Sequence, residues 1–106
     1  MYTPITLDKA RNVMLGFEAL QVFKKITGKS LMKVDFENED IEELIPTIFY
    51  AGLIHEDKEL TVEATTKLID KYLGIKGAIE ILPKIMEELA PKENGIKNAQ
   101  RAAKKK

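Results

Sequence analysis

Ile48-Phe49-Tyr50-Ala51-Gly52-Leu53-Ile54-His55-Glu56-Asp57-Lys58-Glu59-Leu60-Thr61-Val62-Glu63 reads as the apolar end of one helix, a charged elbow and the capped start of the next. Upstream, Ile41, Leu44, Ile45, Ile48, Phe49 and Gly52 follow the i, i+3, i+4, i+7 spacing of an amphipathic helix. The acidic run Glu37, Glu39, Asp40, Glu42, Glu43 stands before it, at the end where a helix dipole favours carboxylates, and Asn38 is the expected cap. Pro46 lies inside the stripe and removes one backbone hydrogen bond, which predicts a kink and not a stop.

Downstream, Thr61 caps a helix with Val62, Thr65, Ile69, Tyr72 and Leu73 on one face, ending at Gly74. A further helix is expected from about Lys76 to Ala90. Its stripe is Ala78, Ile81, Leu82, Ile85, Met86 and Leu89, Pro83 sits inside it, and Pro91 ends it. Toward the N-terminus, Phe17, Leu20, Val22, Phe23 and Ile26 predict a helix from Gly16 to Thr27-Gly28, where glycine supplies the left-handed residue. Its apolar side chains spread over more than one face, so it is either sandwiched in the core or lends a face to a partner.

Before it, Thr3-Pro4-Ile5-Thr6-Leu7 alternates polar and apolar residues and pairs with Arg11-Asn12-Val13-Met14-Leu15 across Asp8-Lys9-Ala10 as a short hairpin. The competing reading starts a helix at Asp8. The sum is a mainly α fold, a small bundle of about four helices with a short N-terminal β-hairpin.

The chain has 106 residues, 44% hydrophobic and 32% charged, enough for one globular domain with a small core and too apolar for a disordered chain. No cysteine is present, which excludes a disulfide framework, a thiolate metal site and a thiol nucleophile. No apolar run approaches the roughly 20 residues of a membrane span, and no signal-peptide pattern opens the chain. A cytoplasmic protein without a membrane partner is expected.

The charges balance at 17 basic and 17 acidic but are unevenly placed. From Lys92 onward six basic residues face Glu93 alone, leaving 11 basic and 16 acidic residues in 1–91. The domain is therefore expected to span 1–91, with 92–106 a basic, mobile tail whose one large apolar side chain is Ile96.

No motif carries chemistry. Gly28-Lys29-Ser30 lacks the earlier glycine of a phosphate loop, since Phe23 stands there. Asp35, Glu37 and Glu39 have calcium-loop spacing, but Asp40 and Pro46 occupy the positions that need glycine and glutamate. His55, the single histidine, has no second ligand and reads as a partner of a helix C-terminal dipole. Glu56, Asp57 and Glu59 lie on an elbow where water keeps acids ordinary. No catalytic residue, cofactor or metal is expected.

The basic tail lacks aromatic interleaving and hangs on an acidic body, so nucleic acid is disfavoured. Tyr50 falls opposite the main stripe of its helix, near Leu53 and Ile54; this is either a second packing face or a partner patch. With Val22 and Phe23 on the preceding helix, these form the candidate partner-binding set: Val22, Phe23, Tyr50, Leu53 and Ile54.

The order of elements carries a resemblance. Ile5-Thr6-Leu7, Leu15-Gly16-Phe17-Glu18-Ala19-Leu20 and Ile26-Thr27-Gly28-Lys29-Ser30-Leu31 are followed by Tyr50-Ala51-Gly52-Leu53-Ile54-His55-Glu56-Asp57, Leu60-Thr61-Val62-Glu63 and Leu68-Ile69-Asp70. Over about residues 5–90 the chain resembles the tail assembly chaperones of long-tailed bacteriophages and related prophages.

The resemblance implies a non-enzymatic protein of the bacterial host cytoplasm. It would coat the tape measure protein before the tail tube polymerises, deliver tube subunits, and be absent from the mature virion. It also implies a longer form, made by ribosomal frameshifting, whose added domain recruits the major tail protein. Ala103-Lys104-Lys105-Lys106 is then expected at or near an adenine-rich slippery site, with a cloning scar as the alternative. Coating a long client with many copies requires head-to-tail self-association. A generic helical adaptor and, behind it, a small DNA-binding regulator are the rival readings.

Overall fold

Thr3–Thr6 forms strand β1 and Ala10–Val13 strand β2, paired antiparallel with Ile5 opposite Arg11 and Thr3 opposite Val13. In the computed structural model, which describes residues 2–89, alternation turns Ile5, Leu7, Arg11, Val13 and Leu15 inward. Pro4 is exposed on an outward position of this two-stranded edge, where a missing N–H costs little. Asp8 caps no helix. Its carboxylate accepts from Arg11 Nε at 2.8 Å and Nη2 at 3.0 Å, which closes the turn and decides for the hairpin.

Helix α1 (Phe17–Thr27) ends at Gly28, whose φ of 78° lets its N–H reach the Lys24 carbonyl at 2.8 Å. Only Ala19 and Phe23 of this helix are buried. Phe17, at 84% exposure, stands in solvent at the helix start. A 3-10 turn over Leu31–Lys33 follows, with Leu31 buried.

Helix α2 (Ile41–Leu53) is central: it contacts α1, β2 and the two helices that follow it. Leu44, Ile45, Ile48, Phe49 and Leu53 are buried on it, as is Thr47, whose hydroxyl donates to the Glu43 carbonyl at 2.8 Å. Asp40, not Asn38, caps it, accepting from the Glu42 N–H at 3.1 Å. Asn38 is two residues too early and serves the preceding turn instead, donating Nδ2–H to Asp35 at 2.6 Å. The helix runs through Pro46, which has no N–H to give the Glu42 carbonyl.

Gly52 sits where α2 meets the hairpin. A Cβ there would lie 2.5 Å from Val13 Cγ1, and the Gly52 carbonyl accepts from the Met14 N–H at 2.9 Å. A lone two-stranded hairpin is marginal in water; this backbone contact docks it.

Helix α3 (Val62–Tyr72) is capped by Thr61, whose Oγ1 accepts from Ala64 at 3.0 Å. Thr65 and Ile69 are its buried residues. Gly74, at φ 74°, makes a corner from which helix α4 (Gly74–Met86) starts at once, two residues before the expected Lys76. The α-helix also stops short of Ala90: a 3-10 turn over Glu87–Leu89 takes over after Met86.

Ala78 and Ile85 of α4 are buried, and Ile81, Leu82 and Met86 pack at the core's edge. Glu88 then fastens this end to the hairpin, accepting from the Leu15 N–H at 2.8 Å and from the Thr3 hydroxyl at 2.7 Å. Four helices and one hairpin thus share a single core. Among the described residues no helix is long and apolar enough to cross a membrane.

Candidate functional site

The elbow after α2 is a clamp rather than a set of free acids. Arg11, 4% exposed, is held between Asp8 and Asp57, with Nη1 3.4 Å from Asp57 Oδ2. Glu56 accepts from the Asn12 backbone N–H at 3.0 Å and from its Nδ2–H at 2.8 Å. His55 Nε2 lies 2.7 Å from the Asn12 carbonyl, which can only accept, so Nε2 carries the proton. These contacts give Glu56 and Asp57 fixed partners that the spacing of the elbow does not show. Residues of an elbow are unremarkable by spacing, and the hairpin that supplies their donors lies more than 40 positions upstream.

The clamp titrates in a defined direction. The Asn12 N–H holds Glu56 below its ordinary 4.5, and the Arg11 guanidinium holds Asp8 below 3.8. Arg11 shifts up in response, chiefly through Asp8, so the two partners agree. Both carboxyls are lower in the folded than in the unfolded chain, so their contribution is present above the unfolded values and disappears as pH falls through the folded ones. The urea midpoint should therefore drop between about pH 5 and pH 3, with a shallower drop in Glu56→Gln. An unchanged pH profile in that variant would remove Glu56 from the clamp.

Among the described residues no group of three or more histidines and carboxylates is placed to hold a metal. Lys29 pairs with Glu39, joining the end of α1 to the acidic run. The elbow is structural, and the candidate site lies elsewhere.

The sequence-derived set divides. Phe23 and Leu53 are completely buried and offer a partner no surface; each is enclosed because its helix packs there against the others. Val22, Tyr50 and Ile54 are half-buried, with Val22 and Tyr50 packed on the core's edge. The structure does not bring the five together as one exposed patch.

Exposed apolar side chains converge instead between α2, α3 and α4, around a groove of about 190 Å³. Ile45, Ile69 and Ala78 form its buried floor. Ile41, Ile75 and Ile79 line it while remaining 37%, 73% and 44% exposed. Its charged lining residues, Glu42 and Asp70, are both acids, and among the described residues neither has an ion-pair partner.

Sequence reasoning missed the groove because the helix is expected to start at about Lys76, which leaves Ile75 outside it, and Ile79 is not counted in its stripe. Their own i, i+4 spacing at the helix start was the available signal. Comparison with family models, with curated proteins and with solved structures returns no match.

Proposed function

We propose that the chain is a non-enzymatic tail assembly chaperone that binds the tape measure protein, keeps it soluble during tail morphogenesis and helps recruit tail tube subunits. The observation that carries this reading is the apolar groove with Ile75 and Ile79 exposed on its wall. Large apolar side chains left in water beside a formed depression mark a surface for another polypeptide. An apolar groove between helices suits the apolar face of an amphipathic helix, the form in which a long helical client presents itself. The element order that resembles the phage family supplies the identity of that client. A longer frameshifted product would add the contact to the major tail protein.

Co-expression tests it. Helical segments of the tape measure protein from the same gene cluster should stay in the soluble fraction and co-elute with this chain. Ile75→Asp/Ile79→Asp should lower the recovered segment by about tenfold or more, the loss expected when two buried contacts of about 1 kcal/mol each disappear. Equal recovery with and without the chain would overturn the reading. The groove also suits a helical adaptor in another complex, and the neighbouring genes separate the two: tube and tape measure genes on either side select the chaperone.

A further inference from the structure

The walls of the groove carry more than apolar surface. Its charged lining residues are Glu42 on α2 and Asp70 on α3, so acids stand on two of the three helices that form it, while α4 contributes Ile75, Ala78 and Ile79. The lysines on either side of Asp70 in sequence do not neutralise it. Among the described residues Lys67 lies 4.0 Å from Glu63, Lys71 sits over the Tyr72 ring at 5.4 Å, and Lys76 pairs with neither acid of the groove.

The uncharged polar groups lean the same way. Thr66 lines the groove, but its hydroxyl already donates to the Val62 carbonyl at 2.9 Å and has only lone pairs left. Pro46, also in the lining, has no N–H, so the Glu42 carbonyl one turn earlier lacks its helical donor. The polar side chains lining the groove therefore accept hydrogen bonds and have none to donate.

We infer that the groove selects a basic amphipathic helix, one whose apolar stripe is flanked by lysine or arginine. The stripe covers Ile41, Ile75 and Ile79, and the flanking cations donate to Glu42 and Asp70. Covering the isoleucines favours any apolar helix, because that attraction has no direction. Charge separates the candidates. A helix flanked by acids sets like charges against two carboxylates that have no counter-ion on this chain, and it covers acceptors without supplying a donor. The inference rests on the proposed function for the occupant being a helix of another polypeptide, and it adds which helices of a client are taken.

Fluorescence anisotropy tests it, with the full chain and two labelled synthetic helical peptides. Both carry the same apolar stripe at i, i+4 and i+7, and the flanking positions are lysine in one and glutamate in the other. The wild type should bind the lysine peptide at least about tenfold more tightly, and the difference should shrink as salt rises, since charges at the rim are screened. Glu42→Gln/Asp70→Asn should bring the two affinities within about threefold of each other. Glu42→Lys/Asp70→Lys should invert the preference. That inversion also answers for folding, because a misfolded variant has no preference to invert, and the near-isosteric amide variant carries the test alone if the lysine variant does not fold.

Equal binding of the two peptides by the wild type, tighter binding of the glutamate peptide, or binding of neither overturns the inference. So does a lysine preference that survives unchanged in the amide variant, since the attraction would then come from other acids, such as Glu37 and Glu39 ahead of α2. Each of these failures is distinct from failure of the chaperone reading, which is read from the solubility of tape measure segments and its loss in Ile75→Asp/Ile79→Asp.

Discussion

Gly52→Val should unfold the protein at a urea concentration far below the wild-type midpoint, with a loss of about 3 kcal/mol or more. The first added carbon already meets Val13 Cγ1 at 2.5 Å, and Leu15 Cδ2 and the Met14 nitrogen stand at 3.4 Å. Val13 is fully buried and β-branched, so it has no open direction in which to swing. Helix propensity works the other way, since replacing glycine inside a helix gains up to about 1 kcal/mol. Over-packing by one carbon costs about 1–3 kcal/mol, and valine adds two more carbons against the same wall.

The overlap wins, and the strand is forced off α2. That separation also strains the Met14 N–H to Gly52 carbonyl bond, the link that docks the hairpin. Because the chain has no tryptophan, helical circular dichroism is the natural readout. Gly52→Ala should fall between the two, and Val13→Ala in that background should recover part of the loss, giving the pair a coupling that separate sites lack. A Gly52→Val protein as stable as the wild type would show that the hairpin is not seated against this glycine.

The same glycine shows what was legible in the sequence. Gly52 takes its place in the α2 stripe by spacing alone, because a helix that buries one face must repeat its apolar residues at that period. Why it must be glycine is a tertiary fact, carried by Val13 on a strand 39 positions away. Gly28 and Gly74 were readable as helix ends because a left-handed residue leaves a local mark.

The cap of α2 was harder to place, since Asn38 and Asp40 are both good caps; the Glu42 N–H to Asp40 bond decides for Asp40, while Asn38 is engaged with Asp35. Glu56 and Asp57 read as elbow acids, and nothing in the spacing singled out Glu88. Their donors at Asn12, Arg11 and Leu15 come from the other end of the chain. The groove is hidden for a related reason: it forms where the stripes of α2, α3 and α4 meet around Ile75 and Ile79, and no single helix displays it.

Phe23→Ala and Ile75→Asp should separate the core from the docking surface by moving opposite quantities. Phe23 has no exposed surface and belongs to the hydrophobic core, so truncation leaves a cavity and should cost about 3–5 kcal/mol. That is a large share of the roughly 5–15 kcal/mol that a domain of this kind commands. Ile75 is 73% exposed in the first turn of α4, where an added carboxylate is favoured by the helix dipole, so Ile75→Asp should change stability by no more than about 0.5 kcal/mol.

Capture of a tape measure segment should show the reverse. Per folded molecule, Phe23→Ala keeps the groove and should retain capture, whereas Ile75→Asp puts a third acid on an apolar wall and should lose it. Sequence periodicity placed Phe23 in the partner surface because an apolar side chain on a crowded helix looks the same whether it faces its own core or another chain. Burial distinguishes the two, and these variants read that distinction as a denaturation midpoint in one case and a binding yield in the other. Loss of capture in folded Phe23→Ala, with full capture in Ile75→Asp, would return the client to the α1 face and leave the groove without this role.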